Sequence, residues 1–196
     1  IQPGENWISI SPPAWIVDQM WCFGVALQSA MTINFPETAE TVLEDFRDIG
    51  PSLIITSSRF WEDMASSIRV KISDAGWLKR NLFYLGESVG KEIVEKTSKK
   101  QNIPAKLRFL YKLMSKLVYR PLLDRIGCSH FRGAFTGGHP ISPDVIHFFR
   151  AVGLNLKQCY GLTEAGGIFQ LQPDNEVKLE TVGKPLPLTE VKIAED

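Results

Sequence analysis

Cys159-Tyr160-Gly161-Leu162-Thr163-Glu164-Ala165-Gly166-Gly167 is the stretch around which the chain is organised. The apolar run Leu154–Cys159 leads into it and reads as a strand. Upstream, Phe131–Phe135 reads as another strand, ending in the turn Thr136-Gly137-Gly138-His139-Pro140. Between the two strands the residues are those of a helix with both ends marked. Ser142 suits the N-cap, Pro143 the first helical position, and Asp144 the positive end of the helix dipole. Val145–Val152 form the body, and Gly153 suits the C-cap. A helix joining two strands in this way implies a parallel pair. Parallel strands point the same way, so both glycine turns are expected at one carboxyl edge of a sheet, where open α/β sheets bind ligands.

Working outward, Trp7–Ile10 reads as a short strand stopped by Pro12 and Pro13, since proline cannot donate to a ladder. Trp15–Ala30 reads as a mostly apolar helix buried on most sides. Met31–Phe35, a helix over 37–49 with Glu37 and Glu40 in its first turn, and Ser52–Thr56 form a first strand–helix–strand unit, expected to be a parallel crossover. Phe60–Ile72 reads as a helix. Downstream of the central stretch, 177–179, 181–183, 185–187 and 191–193 read as short strands and turns. The fold expected is α/β, a mostly parallel sheet with flanking helices built from βαβ units.

Composition bounds the rest. A chain of 196 residues with 44% hydrophobic content fits one domain with a real core. Its 22 basic and 22 acidic residues cancel, which argues against a dedicated nucleic-acid binder. Cys22, Cys128 and Cys159 are odd in number and far apart, so neither a disulfide framework nor a zinc site is expected, and a reducing, cytoplasmic setting fits. The opening IQPGENW does not read as a signal peptide, and no apolar run is long enough to cross a membrane.

Two further patterns carry competing readings. Gly86-Glu87-Ser88-Val89-Gly90 matches the G-x-S-x-G elbow of serine hydrolases, in which Ser88 would be the nucleophile. An elbow needs a sharp strand-to-helix turn, whereas Leu78, Leu82, Leu85, Val89 and Ile93 run through the serine as one helical face, which reads Ser88 as helix interior. The helix expected over 103–123 turns Leu107, Leu110, Met114 and Leu117 inward. Arg108, Lys112, Lys116 and Arg120 recur on it every fourth residue. That stripe is either a solvated face or a contact for anionic lipid or a phosphate-bearing ligand, peripheral at the inner face of a membrane.

Chemically, a glycine turn lets a flat ring or a phosphate approach the backbone, because no Cβ intervenes. Gly137 and Gly138 can offer main-chain groups to a base edge, Tyr160 a ring face, Thr163 a hydroxyl, and Glu164 a hard oxygen suited to magnesium bridged to phosphates. Two ordinary turns with a solvated Glu164 would show the same spacing. Tyr160-Gly161-Leu162-Thr163-Glu164, however, resembles the tyrosine–glycine–x–threonine–glutamate motif of the adenylate-forming (AMP-binding) superfamily. Thr136–Pro143 resembles its glycine-rich adenine segment and Thr181–Pro187 its valine–glycine–x–proline turn. Pro51–Glu62 and Pro12–Gln19 resemble the long-chain fatty acyl-CoA synthetase branch. The resemblance covers nearly the whole chain.

That resemblance implies a fatty acid–CoA ligase using ATP, magnesium and CoA. A carboxylate attacks the α-phosphate of ATP to give acyl-AMP and pyrophosphate, and the CoA thiol then displaces AMP. Gly137, Gly138 and His139 would contact adenine, with Tyr160 packed on it and Gly161 and Leu162 in the same wall. Thr163 would reach the AMP phosphate and Glu164 would hold magnesium. Trp15 and Gln19 would line an acyl tunnel. His139 stands where relatives usually have a small residue, and Trp15 where many carry histidine. The family's phosphate loop would precede Ile1, and its ribose-binding aspartate, hinge and catalytic lysine would follow Asp196. The chain is therefore expected to be an internal piece of the large N-terminal domain, inactive alone. Transfer of the acyl-AMP to a carrier protein, and a purely lipid- or partner-binding role, are the alternatives.

Overall fold

The computed structural model describes residues 2–38, 40–174 and 176–194. Its centre is a five-stranded sheet in the order β3 (Leu53–Ser57), β4 (Gly133–Gly137), β5 (Leu156–Leu162), β6 (Gly167–Leu171), β7 (Lys184–Pro185). The first three strands are parallel, and β6 and β7 return antiparallel. β1 (Asn6–Ile8) and β2 (Thr32–Asn34) form a separate parallel pair. The Ser52 N–H donates to the Asn6 carbonyl at 3.1 Å, which ties β1 to the start of β3. The fold is the expected mixed α/β sheet flanked by helices.

Two faces of the sheet are covered differently. Ile54, Ala134 and Leu156 point into the main core, under the helices Ser58–Ser73, Trp77–Ser98 and Pro143–Ala151. Trp61, Phe148 and Phe149 are fully buried there, Trp61 meeting Phe149 edge-on at 5.1 Å. The opposite face presents Leu53, Ile55, Phe135 and Cys159 to the helical stretch 16–29, which is α-helical at both ends and π-helical over Met20–Val25. Both faces bury apolar side chains, which explains why the strands read as continuous apolar runs rather than alternating ones.

Several elements differ from the sequence reading. β2 does not pair with β3; β1 lies beside β2, and the chain returns past β1 to reach β3. Pairing depends on which strand arrives at the edge, and spacing along the chain does not encode it. The helix after β2 starts only at Val42, with Glu44 and Asp45 in its first turn, so Glu37 and Glu40 precede it. Thr38 and Thr41 bond each other, and Thr41 donates to Asp45 at 3.0 Å, which favours a turn over an earlier helical start. The stretch 16–29 buries one face only: Phe23 and Leu27 are exposed. The runs 177–179, 181–183 and 191–193 are not strands, and the tail's pairing is made by β6 and β7 instead.

Ser88 lies exposed inside the helix Trp77–Ser98, so no elbow exists. The flanking glycines have a packing role. Tyr119 donates to the Gly86 carbonyl at 2.7 Å, and a Cβ on Gly90 would stand 2.0 Å from the Ala151 carbonyl oxygen. Helix contact through these glycines leaves Leu78 and Leu85 on the outside, against the predicted inner face. The next helical stretch, 105–125, is π-helical over Ser115–Tyr119. The wider turn swings Val118 and Tyr119 inward and Leu117 outward, reversing the expectation for Leu117.

Candidate active site

The strand register places the two glycine segments together. Ala134, Phe135 and Thr136 of β4 pair in parallel with Leu156, Lys157 and Gln158 of β5. Both strands therefore deliver their ends to one carboxyl edge, as the βαβ reading required. There a cavity of about 300 Å³ opens between the strand ends and the start of the helical stretch 16–29. Gly137, Gly138 and His139 line one side, Gly161, Leu162 and Thr163 another, and Trp15 with Ile16 and Val17 the third.

β5 does not stop at Cys159. It continues to Leu162, with a bulge between Tyr160 and Gly161, and Thr163–Ala165 make one turn of 3-10 helix before β6. The central stretch is thus a bulged strand end and hairpin rather than a turn after a strand. A bulge re-aims side chains at its edge. Here Gly161, Leu162 and Thr163 join the cavity, while Tyr160 lies outside its lining, 41% exposed, its ring edge-on to Phe169 at 5.2 Å. Gly138 has a φ of +84°, which turns the chain away at the end of β4. His139 is exposed at the cavity mouth.

Glu164 is exposed in the 3-10 turn, beside the cavity and not in its lining. Among the described residues no group of three or more His, Cys, Asp or Glu side chains could hold a metal. Magnesium needs no such cage: it keeps several waters and takes one or two carboxylates plus substrate phosphates. A lone exposed Glu164 at the site edge fits that donor set. Gln19 is not brought to the cavity; its Nε2 donates to the Pro13 carbonyl at 3.2 Å on the exposed side of the helix. Trp15 precedes the first helical residue, 45% exposed, and does line the cavity.

Ser11, Thr56 and Ser57 also line the cavity and were not singled out from the sequence. β3 is parallel to β4 and ends in register with it, Thr56 opposite Thr136 and Ser57 opposite Gly137. Once β3 is known to be the neighbour of β4, hydroxyl residues at its carboxyl end belong to the same edge. The signal was the Thr56-Ser57-Ser58 run after an apolar strand. Ser57 is also the N-cap of the helix Ser58–Ser73, whose first N–H groups open at this edge. Cys159 lies on the cavity floor with its thiol donating to the Thr136 carbonyl at 3.3 Å. Burial pushes that thiol up to about 12, so it is neutral and no nucleophile.

Comparison with known proteins decides what such an edge belongs to. The family profile of the AMP-binding enzymes matches residues 1–196. The chain belongs to the AMP-binding enzyme family. Among its relatives is the long-chain-fatty-acid–CoA ligase FadD15 of Mycobacterium bovis, 26% identical over 196 residues, covering 100% of this chain and 32% of that protein. Among solved structures, unliganded O-succinylbenzoate coenzyme A synthetase (MenE) from Bacillus subtilis superimposes with a TM-score of 0.59 at 15% identity, over 100% of this chain and 30% of the other. The A domain of carboxylic acid reductase from Segniliparus rugosus, in complex with AMP and a co-purified carboxylic acid, gives 0.51 at 16% identity over 84% of this chain and 21% of that one. The chain thus spans about a third of the length of the mycobacterial FadD15 ligases it matches in sequence. The solved structures, all under 25% identical, carry the fold alone.

Proposed function

We propose that this chain forms one wall of the active site of a fatty acid–CoA ligase, which activates a carboxylic acid with ATP and passes the acyl group to CoA. The observation that carries the reading is the cavity at the shared carboxyl edge of β3, β4 and β5, with nucleotide-type groups on two sides and apolar groups on the third. Main-chain groups of Gly137 and Gly138 meet the adenine edge, with His139 at the rim. The Tyr160 ring packs on the base. The Thr163 hydroxyl donates to the AMP phosphate, and the Glu164 carboxylate holds magnesium, which when bound would neutralise phosphate charge. Ile16, Val17 and Ile168 exclude water from the acyl side of the cavity. Carboxylate oxygen attacks the α-phosphorus as pyrophosphate leaves, and the CoA sulfur then takes the acyl carbon as AMP leaves.

Covering about a third of its relatives, the 196-residue chain is proposed not to complete either step alone. The test is fatty-acid-dependent ATP–pyrophosphate exchange, followed by mass-spectrometric detection of the CoA thioester. Full-length protein should show both and the 196-residue chain neither. Glu164→Gln should lower exchange about a hundredfold, the scale for loss of one group that stabilises transition-state charge. Exchange without thioester would move the reading to an acyl-AMP ligase that loads a carrier protein. No exchange by the full-length protein defeats the reading.

A second reading is favoured by an arrangement on the helical stretch 105–125. Phe109, Leu113 and Leu117 are all exposed and form a row beside Arg108, Lys112, Lys116 and Arg120, also exposed. Apolar and basic rows side by side fit the surface of an anionic bilayer. No helix among the described residues is long and apolar enough to cross one. Co-sedimentation with vesicles of phosphatidylglycerol should succeed at low salt and fail with vesicles of phosphatidylcholine. Charge reversal of Lys112 and Lys116 should abolish it; an unchanged bound fraction rules this reading out.

A further inference from the structure

The third side of the cavity is a loop with few backbone ties of its own. β1 ends at Ile8, and the chain runs through Ser9-Ile10-Ser11-Pro12-Pro13-Ala14-Trp15 before the helix opens at Ile16. Ser11, Ala14 and Trp15 of this loop line the cavity, together with Ile16 and Val17 of the first helical turn. Pro12 and Pro13 have no N–H to donate. Within the loop, the backbone bond among the described residues runs from the Trp15 N–H to the Pro12 carbonyl at 2.9 Å.

A side-chain bond crosses the base of the loop. The Ser9 hydroxyl donates to the Asp18 carboxyl group at 2.6 Å and so joins the end of β1 to the first turn of the helix. Both residues are almost wholly buried, Ser9 at 5% exposure and Asp18 at 4%. A buried carboxyl group is costly unless its oxygens are hydrogen-bonded, so the two partners are held to this geometry. Cys22 lies one turn further on, where burial and then the Asp18 charge raise its thiol. Asp18 is absent from the cavity lining although its neighbours Ile16 and Val17 belong to it. The carboxyl group therefore acts from behind the wall. Gln19 adds a second tie to the same loop through the Pro13 carbonyl, on the exposed side.

We propose that Asp18 is a positioning residue for the carboxylic acid substrate: by holding the Ser9 hydroxyl it fixes the loop 10–15 and the first helical turn as the acyl wall of the site. The proposal rests on the ligase reading and goes beyond it by giving Asp18 and Ser9 a role. Asp18 touches no reacting atom. The nucleotide-side groups Gly137, Gly138 and Thr163 stand at the ends of β4 and β5, which are aligned by their own register and not by this bond. Loss of the bond should therefore be felt by the acid and not by ATP.

The deciding experiment measures ATP–pyrophosphate exchange by the full-length protein with octanoate, dodecanoate and palmitate, and carries the most active acid into the variants. Asp18→Ala should raise KM for that acid about tenfold or more, the scale on which a misplaced positioning group is felt, and leave KM for ATP within about twofold. Asp18→Asn keeps an oxygen that accepts from Ser9 and should recover most of the loss. Ser9→Ala should repeat the selective rise, and Ser9→Thr, which keeps the hydroxyl, should not. If Asp18→Ala does not fold, Ser9→Ala carries the test, since it keeps the carboxyl group and the size of the loop. A merely structural role would reduce the folded fraction, lowering apparent kcat with both KM values unchanged, and that outcome overturns the proposal. So does a rise in both KM values together. Exchange by the wild type with none of the acids overturns the ligase reading itself.

Discussion

Gly161 and Gly167 face each other across the β5–β6 hairpin so closely that a Cβ on Gly161 would stand 2.1 Å from the Gly167 carbonyl oxygen. The bulge after Tyr160 depends on this approach, and with it the aim of Leu162 and Thr163 into the cavity. Gly161→Ala should cost about 1–3 kcal/mol in stability, the usual scale for overpacking, by denaturant unfolding. ATP affinity of the full-length protein, measured by titration, should fall with it. An alanine variant that binds ATP as wild type does would show that the hairpin can part without moving Thr163.

Gly90 makes a comparable approach far from the site, on the helix Trp77–Ser98. Gly90→Ala should destabilise by about 1–3 kcal/mol or more, since it must part that helix from Ala151. Gly76, just before the same helix, has open space around its Cβ position. Gly76→Ala should stay within about 0.5 kcal/mol of wild type. Equal effects at the two positions would mean that the helix contact is not as tight as the geometry requires.

Asp174 accepts hydrogen bonds from Lys157 at 2.6 Å and from Asn155 at 2.7 Å. The Lys157 bond comes first among the causes that hold the Asp174 carboxyl below its ordinary range. A depressed folded-state value means that the ionised form is favoured on folding. Its contribution is present above the ordinary aspartate range and is lost as pH falls through the lower folded value. Unfolding midpoints measured downward from about pH 5 should therefore drop less steeply in Asp174→Asn than in wild type. Parallel curves for the two proteins would remove Asp174 from the acid response. The carboxylate is 66% exposed, so the difference should be small and should shrink with added salt.

All three cysteines are buried and free, and burial raises each thiol above its ordinary range. Cys22 has a further push from the neighbouring Asp18. Native protein at pH 8 should react with a thiol reagent far more slowly than denatured protein, with all three sites appearing together on unfolding. Rapid labelling of Cys159 in the native state would contradict its burial at the cavity floor.

The local marks around the site were legible because each follows from backbone chemistry. The motif after Leu154–Cys159, Ser142 and Pro143 before their helix, and Gly153 after its end all act within a few residues. Ser142 shows the limit of such marks: it sits at the N-cap, yet its side chain makes no cap bond. Parallel pairing of β4 with β5 followed from one helix joining two apolar runs, and with it the shared edge for Gly137 and Thr163. The membership of the chain in its family was legible in the Tyr160–Glu164 motif and its companions.

Long-range packing decided the rest. β1 stands between β2 and β3 because Asn6 meets Ser52, a contact with no trace in local spacing. Leu117 faces out because a π-helical turn at Ser115–Tyr119 rotates the helix, and helical periodicity assumes an unbroken α-helix. Trp21 turns into the layer on the sheet after a π-helical turn at Met20–Val25, and Gln19, just before that turn, is held by the Pro13 carbonyl on the exposed side. That the two glycine turns share one sheet edge was thus written in the chain itself. That Trp7 and Trp21, from different elements, stack between helix and sheet was decided only by the tertiary structure, because no local pattern pairs them.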